Sequence, residues 1–214
     1  MLTGLDLTSL ISGGRIGLVV RLFGGYEMIE KQAEVSFADF VAWEQRQSDR
    51  HELIGARVVP FLDGSIDHET ITVNIIARLH ASVEPPCKVF GSTAIVQTVS
   101  RIGEDGYRPD VTVSCSAANV GSRLYVEGPR VVVEVLSPSN AGPAWNMKLF
   151  EYWNTASIEQ LVLVDSVERY ITSHIRRPDG SWNAPIILIE GILEFAPLRV
   201  SISLEKLYQN TSLA

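Results

Sequence analysis

The sequence predicts an α/β (α+β) fold in which helices flank a central mixed sheet of at least five strands. Two patterns support this prediction. Apolar residues recur at helical spacing over residues 67–83, whereas residues 131–133 begin a short apolar run typical of a strand buried on both faces. Further helices are predicted near residues 36–47 and 143–154. With 214 residues, 46% of them hydrophobic and 20% charged, the chain has enough apolar material for a real core.

Two regions are predicted along the chain: an N-terminal extension, residues 1–33, and one domain, residues 34–214. The extension is rich in glycine and has no strong period, so we expect a loosely attached segment or an added pair of strands. The domain begins with a helix that Ser36 caps, because its hydroxyl can accept a hydrogen bond from the first turn and the Asp39 carboxylate can accept one from the cap in return.

Short strands are predicted after this first helix. RHELIGARVVPF (50–61) has the pattern of a hairpin that turns at its Gly-Ala pair. KVFGSTAIVQTV (88–99) and YRPDVTVSC (107–115) supply strands on either side of RIGEDG (101–106), which is predicted as an acidic hairpin loop. After the third helix, IEQLVLVDSVERYITSHIRR (158–177) predicts two strands, and the last strands extend the sheet or cover one edge.

Charge and cysteine content limit the function classes. The net charge of −7 argues against a protein that coats nucleic acid through a broad basic surface, but not against an enzyme that grips a phosphodiester through metal ions. Cys87 and Cys115 are too few for a disulfide framework, which predicts two buried thiols in a reducing cytoplasm. No convincing membrane span is present, because residues 10–25 are too short and contain two arginines.

Glu134 is the most informative residue of the buried strand. An unpaired buried carboxylate is costly, so such a group usually neutralises, finds a partner or binds a metal ion. Asp110 directly follows Pro109, which belongs at a strand start or edge; taken alone it would be a turn residue. If two neighbouring strands bring both carboxylates together, they and several waters meet the ligand demand of Mg²⁺.

Lys148 lies on the predicted third helix, for which Pro143 is a suitable first residue. At that position a lysine is as readily a solvated surface residue as a site residue. If it belongs to the site, its ammonium supplies a positive charge near an attacking water or near the developing negative charge. Tyr152 lies four residues further on and therefore on the same helix face.

These pieces resemble the Uma-type family of restriction endonuclease-like proteins, a branch of the PD-(D/E)xK phosphodiesterase superfamily. The similar segments, in the family's order between about residues 35 and 165, are RHELIGARVV, HETITVNIIARL, GYRPDVTVS, VVVEVLSPS, KLFEY and LVLVD. A conventional member of the superfamily keeps a lysine two residues after the glutamate, where this chain has Leu136. In the branch that this chain resembles, the lysine has moved to the following helix.

The resemblance implies a restriction-endonuclease-like fold and a site on this chain. Asp110 and Glu134 would be metal ligands, with Glu52 as an additional acidic ligand and Lys148 as the catalytic lysine. His68 matches a family histidine near the first long helix. The implied cofactor is Mg²⁺, with Mn²⁺ as the alternative ion, and the implied activity is hydrolysis of phosphodiester bonds in DNA by a cytoplasmic protein with no membrane partner.

Two alternatives stay open. Ala144 stands where the family often has an acidic residue, and Ala56 and Arg57 stand where its hairpin commonly has one. Such departures favour a catalytically inactive nuclease-fold module that binds or regulates. A thiol or serine hydrolase is the poorer alternative, since the sequence contains no G-x-S-x-G segment. A homodimer is expected because duplex cleavage suits two-fold symmetry.

Overall fold

The computed structural model describes residues 9–12, 15–18, 34–62, 64–100, 103–121, 124–138 and 142–214. In chain order the elements are β1 (Ser9–Ser12), β2 (Arg15–Leu18), α1 (Phe37–Glu44), β3 (His51–Ile54), β4 (Arg57–Pro60), α2 (Ile66–Ser82), β5 (Lys88–Gly91), β6 (Ile95–Ser100), β7 (Gly103–Tyr107), β8 (Val111–Ser114), β9 (Tyr125–Val126), β10 (Pro129–Leu136), α3 (Pro143–Asn154), β11 (Gln160–Asp165), β12 (Ile171–Ile175), β13 (Ile186–Leu188), β14 (Ile192–Phe195), β15 (Val200–Ser203) and α4 (Leu204–Leu207).

A six-stranded mixed sheet lies at the centre, in the order β13-β12-β11-β10-β8-β5. Strands β10 and β11 pair in parallel, and the other neighbours pair antiparallel. Helix α3 connects the parallel pair, because parallel strands need a crossover connection. The predicted mixed sheet of at least five strands flanked by helices is confirmed, and β11 to β13 extend it as expected.

Strand β10 turns alternate side chains to two different cores. Val131, Val133 and Val135 pack with α2 and with residues of β8, β11, β14, β15 and α4. Val132 packs with Tyr152 of α3 and with residues of a second sheet. Because side chains alternate along a strand, Glu134 belongs to the α3 side. The burial of this carboxylate therefore follows from its register in a strand that is covered on both faces.

The second sheet has the order β4-β3-β7-β6-β9. Its Ile54 and Tyr107 join the same buried cluster as Val132 and Tyr152, so this sheet and α3 share a core with the central sheet. The arrangement brings strand β3 close to β10 although the two strands are not paired. The candidate site lies between these two sheets.

The helices start where the sequence predicts, to within one residue. Ser36 caps α1 by accepting a hydrogen bond from the Asp39 N–H at 3.1 Å. Helix α3 covers Pro143–Asn154 as predicted, with Gly142 as its N-cap at a φ of 90° that favours glycine. Helix α1 is shorter than the predicted residues 36–47, because its last three predicted residues form a turn and leave the helix.

Two strand predictions between residues 101 and 115 are wrong. Residues 103–106 of the predicted loop belong to strand β7, which pairs with β6. The predicted strand over residues 107–115 is broken between β7 and β8, which lie in different sheets. Arg108, Pro109 and Asp110 form the break. A proline lacks the N–H that would continue the ladder, and the chain changes sheet at this point.

The prediction of two buried thiols is also wrong. Cys87 and Cys115 are half-buried and form a disulfide. The pairing of β5 with β8 explains the bond, since Lys88 lies opposite Ser114 and the next residue outward on each strand is a cysteine. Spacing along the chain gave no indication of this neighbour relationship.

The predicted N-terminal extension lies largely outside the described residues. Within it, β1 and β2 pair with each other antiparallel, with Ser9 opposite Leu18. None of the helices in the described part of the chain is long and apolar enough to cross a membrane.

Candidate active site

Lys148 joins two carboxylates from different parts of the fold. Its Nζ lies 2.9 Å from Oε1 of Glu134 and 2.9 Å from Oε1 of Glu52. All three side chains are buried, with exposed fractions of 3% for Glu134, 7% for Glu52 and 7% for Lys148. The lysine therefore points from α3 into the space between the two sheets and away from bulk solvent.

Helix α3 supplies a second contact to Glu134. Tyr152 lies one turn after Lys148 on the same helix face, and its hydroxyl donates a hydrogen bond of 2.7 Å to Oε1 of Glu134. This tyrosine is fully buried and its ring contacts Tyr107 edge-on, which fixes its position. The two helix residues therefore hold the same carboxylate oxygen.

Glu52 lies in β3, where its alternation with Leu53 by itself favours a surface carboxylate. In the structure it is buried, and its Oε1 accepts a hydrogen bond of 2.7 Å from the Arg108 N–H. The Arg108 guanidinium is held in turn by Glu44 at 2.8 Å and by backbone carbonyls. This network holds Glu52 in a position where its carboxylate contacts Lys148.

Asp110 directly precedes β8, at the break between the two sheets. Its Oδ2 accepts a hydrogen bond of 2.7 Å from the Val135 N–H and lies 3.3 Å from Nε2 of His68. Because Val135 follows Glu134, this backbone contact brings Asp110 next to Glu134 of β10. The structure thus gathers all four predicted catalytic residues, together with His68.

The five residues line one cleft with a volume of about 200 Å³. The rest of its lining is largely apolar or aromatic and comes from the β3–β4 hairpin, from the segment between β4 and α2, from the residue after β10 and from the start of α3. These residues are Ile54, Val59, Pro60, Phe61, Leu62, Gly64, Ser137, Ala144 and Trp145. Charge is therefore concentrated on one part of the cleft wall.

Burial shapes the protonation of the cluster. It raises the pKa of Glu134 to about 7, with repulsion from Asp110 and Glu52 acting in the same direction and Lys148 and Tyr152 opposing it. Burial works against the charged form of Lys148, but attraction by Glu134 and Glu52 outweighs it and raises its pKa. Burial likewise opposes protonation of His68, and its contact with Asp110 outweighs that effect and raises its pKa.

The carboxylates have oxygen atoms to offer a ligand. The polar contacts among the described residues engage Oε1 of Glu52, Oε1 of Glu134 and Oδ2 of Asp110, which leaves the second oxygen of each carboxylate. Within the described residues, no group of three or more His, Cys, Asp and Glu side chains could hold a metal ion. Mg²⁺ needs fewer protein ligands, because it is held by one or two carboxylates and keeps several waters. The oxygen donors of Asp110 and Glu134 therefore fit Mg²⁺, with Glu52 beside them.

Sequence reasoning missed three supports of this site. Arg108 and the Val135 N–H bind Glu52 and Asp110 through backbone donors, which sequence patterns do not identify. For Tyr152 the sequence indicates only that it shares a helix face with Lys148. Its spacing of four residues from Lys148, together with a buried glutamate in the preceding strand, was the one signal that could have identified it.

Comparisons with known proteins identify the family and the fold. The family model described as "Uma2: Putative restriction endonuclease" matches residues 37–203 of this chain. "Uncharacterized protein slr1290" of Synechocystis sp. is 25% identical over 177 residues, which cover 82% of this chain and 92% of that protein. "Uncharacterized protein sll1609" of the same organism is 22% identical over 167 residues, or 76% of this chain and 93% of the relative.

A solved structure has the same fold. It is the crystal structure of a putative nuclease belonging to DUF820 from Anabaena variabilis, with a TM-score of 0.62 and 14% sequence identity. The likeness covers 81% of this chain and 97% of that chain. The predicted fold class is thereby confirmed.

Proposed function

Because the chain belongs to the Uma2 family, whose model spans residues 37–203, we propose that it is a metal-dependent endonuclease that hydrolyses phosphodiester bonds of DNA. The observation that carries the proposal is the position of the Lys148 ammonium, 2.9 Å from both Glu52 and Glu134. Lys148 lies on the helix after the glutamate strand and contacts Glu134, which supports its role as the lysine that a conventional member keeps two residues after the glutamate.

Each site residue has a proposed role. Asp110 and Glu134 would hold Mg²⁺, or Mn²⁺ as an alternative, through the carboxylate oxygens that contacts among the described residues leave unused. Glu52 would complete the acidic cluster directly or through a water. When bound, such an ion polarises a phosphoryl oxygen and lowers the pKa of an attacking water. Tyr152 and the Val135 N–H keep the carboxylates in position.

Lys148 would orient the nucleophile. Its three N–H donors reach two carboxylates in the structure and are close enough to the cleft to donate to a water or to a phosphate oxygen. The water gives a proton to solvent as its oxygen forms a bond to phosphorus, and the bond from phosphorus to the leaving nucleoside oxygen breaks as that oxygen takes up a proton from solvent. The ammonium offsets the negative charge that develops on the phosphoryl oxygens.

A nuclease assay with Mg²⁺ or Mn²⁺ tests the proposal. We expect the wild type to cleave DNA, and Glu134→Gln and Lys148→Met to reduce the rate at least about a hundredfold, as loss of a principal electrostatic contact does. Glu159→Gln is the matched control, because Glu159 forms a half-exposed ion pair with Arg130 outside the cleft. Cleavage that survives both site substitutions would sink the mechanism.

The same assay separates the proposal from the inactive-module alternative. A wild type that binds DNA and cleaves none with either ion would be a binding or regulatory module. Cytoplasmic location and a homodimer stay predictions. The disulfide between Cys87 and Cys115 argues against the cytoplasmic location, since disulfides persist mainly outside reducing compartments.

A further inference from the structure

We infer that the cleft accepts an unpaired DNA strand, one base of which stacks on aromatic side chains at the cleft wall, rather than an intact duplex. This inference rests on the proposed function, because it names the substrate class of the same site. It depends on the depth of the carboxylates, on two aromatic residues of the lining and on the charge of the cleft.

The cleft gives only narrow access to the carboxylates. Glu134, Asp110 and Glu52 are buried, and the cleft that leads to them has a volume of about 200 Å³. That volume lies below the range of about 300–1,000 Å³ found for drug-sized ligands. Duplex DNA is stiff, with a persistence length of about 50 nm, so bending its backbone into a narrow cleft is costly. An unpaired strand can turn a phosphate inward without that cost.

Trp145 provides the first stacking surface. It lies in the first turn of α3, one turn before Lys148, and its half-buried side chain lines the cleft. Among the described residues, Trp43, Trp153 and Trp182 all contact other rings, whereas Trp145 makes no such contact. An indole at the cleft wall without an aromatic neighbour offers a face to a base.

Phe61 is the second aromatic residue of the cleft lining and connects the cleft to a neighbouring cavity. That cavity has a volume of about 280 Å³ and shares Phe61, His68 and Asp110 with the cleft. It also contains Arg50, whose guanidinium carbon lies 4.8 Å from the centre of the Phe61 ring. A strand whose reacting phosphate lies at the carboxylates can therefore place its next phosphate near Arg50.

The charge of the cleft favours the same substrate. Its lining includes three carboxylates (Glu52, Asp110 and Glu134) against the ammonium of Lys148 and the imidazole of His68, so the cleft offers few positive charges to a phosphate backbone. Proteins that hold duplex DNA tightly neutralise many phosphates with Lys and Arg. This lining instead offers aromatic faces, and base–aromatic stacking is how unpaired strands are commonly held. Binding should accordingly require a divalent cation.

Fluorescence anisotropy on the full chain tests the inference independently of cleavage. The probe is a labelled oligonucleotide, either single-stranded or annealed to its complement, with Ca²⁺ in place of Mg²⁺ because Ca²⁺ takes the same oxygen ligands. We expect the single strand to bind at least about tenfold more tightly than the duplex. Trp145→Ala should weaken single-strand binding at least about fivefold, as loss of one stacked base does.

Phe150→Ala is the matched control. Phe150 lies on the same helix and is 51% exposed, but it does not line the cleft, so its removal should leave binding unchanged. Duplex binding as tight as single-strand binding would overturn the inference, and so would equal losses for Trp145→Ala and Phe150→Ala. Cleavage with Mg²⁺ is measured separately: selective binding without cleavage rejects the nuclease proposal alone, and duplex-preferring cleavage rejects the stacking inference alone.

Discussion

The ammonium of Lys148 and the carboxylate of Glu134 form a buried ion pair of 2.9 Å, although one residue belongs to helix α3 and the other to strand β10. The contact exists because α3 crosses from β10 to β11 over the face of the sheet to which Glu134 points. It places a lysine beside the glutamate strand although Leu136 occupies the position two residues after the glutamate. The stability of the fold, the protonation of Glu134 and the proposed chemistry therefore all depend on this pair.

Removal of the lysine charge should destabilise the fold. Lys148→Met leaves the carboxylates of Glu52 and Glu134 buried without their cation, and breaking a buried pair in this way costs about 3–5 kcal/mol. Urea unfolding of metal-free protein measures the loss. The double variant Lys148→Met/Glu134→Gln should recover part of it, because one uncompensated charge is removed. A single variant as stable as the wild type would contradict the importance of the pair.

The pH dependence of stability should identify Glu134. Its folded pKa is raised to about 7, so its contribution to stability is full below the pKa of the unfolded chain and is lost as the pH rises through about 7. The loss amounts to about 3 kcal/mol. Urea unfolding in EDTA at about pH 5 and about pH 8 should show this decrease. Glu134→Gln should make the curve flatter, whereas Glu159→Gln should leave it unchanged.

His68 should govern the affinity of the site for Mg²⁺. Its Nε2 lies 3.3 Å from Oδ2 of Asp110, and loss of a group that orients a metal ligand typically weakens metal binding about 10–100-fold. Titration calorimetry with Mg²⁺ compares the wild type with His68→Ala. The control is His80→Ala, an exposed histidine in the last turn of the same helix. Equal affinities for the two variants would show that His68 has no such role.

The disulfide should contribute measurably to stability. Cys87 and Cys115 are separated by 28 positions, and closing a loop of that size stabilises a fold by about 3.6 kcal/mol in the chain-entropy description. Dithiothreitol should therefore lower the free energy of unfolding of the wild type. The double variant Cys87→Ser/Cys115→Ser should be less stable and insensitive to the reductant. An intact mass with two free thiols would contradict the bond.

The amino-acid sequence by itself determined the local structure and the chemistry available to the site. Helix α3 begins at Pro143 after Gly142 and ends at Asn154 as predicted, because capping and helical periodicity are encoded within a few neighbouring residues. The run of valines around Glu134 predicted a strand buried on both faces for the same reason. Candidate carboxylates and the lysine also followed from residue types and their order along the chain.

Only the tertiary structure decided which of these residues meet. Glu52 lies in a different sheet from Glu134, and no local pattern relates them; packing of the two sheets around Tyr152 brings both to Lys148. The pairing of β5 with β8 likewise joined two cysteines that the sequence predicted to be free thiols. Long-range contacts of this kind depend on strand register and on packing between sheets, which neighbouring residues do not encode. The ion pair of Lys148 with Glu134 depends on both: local sequence places each residue in its helix or strand, and packing of α3 on β10 brings them together.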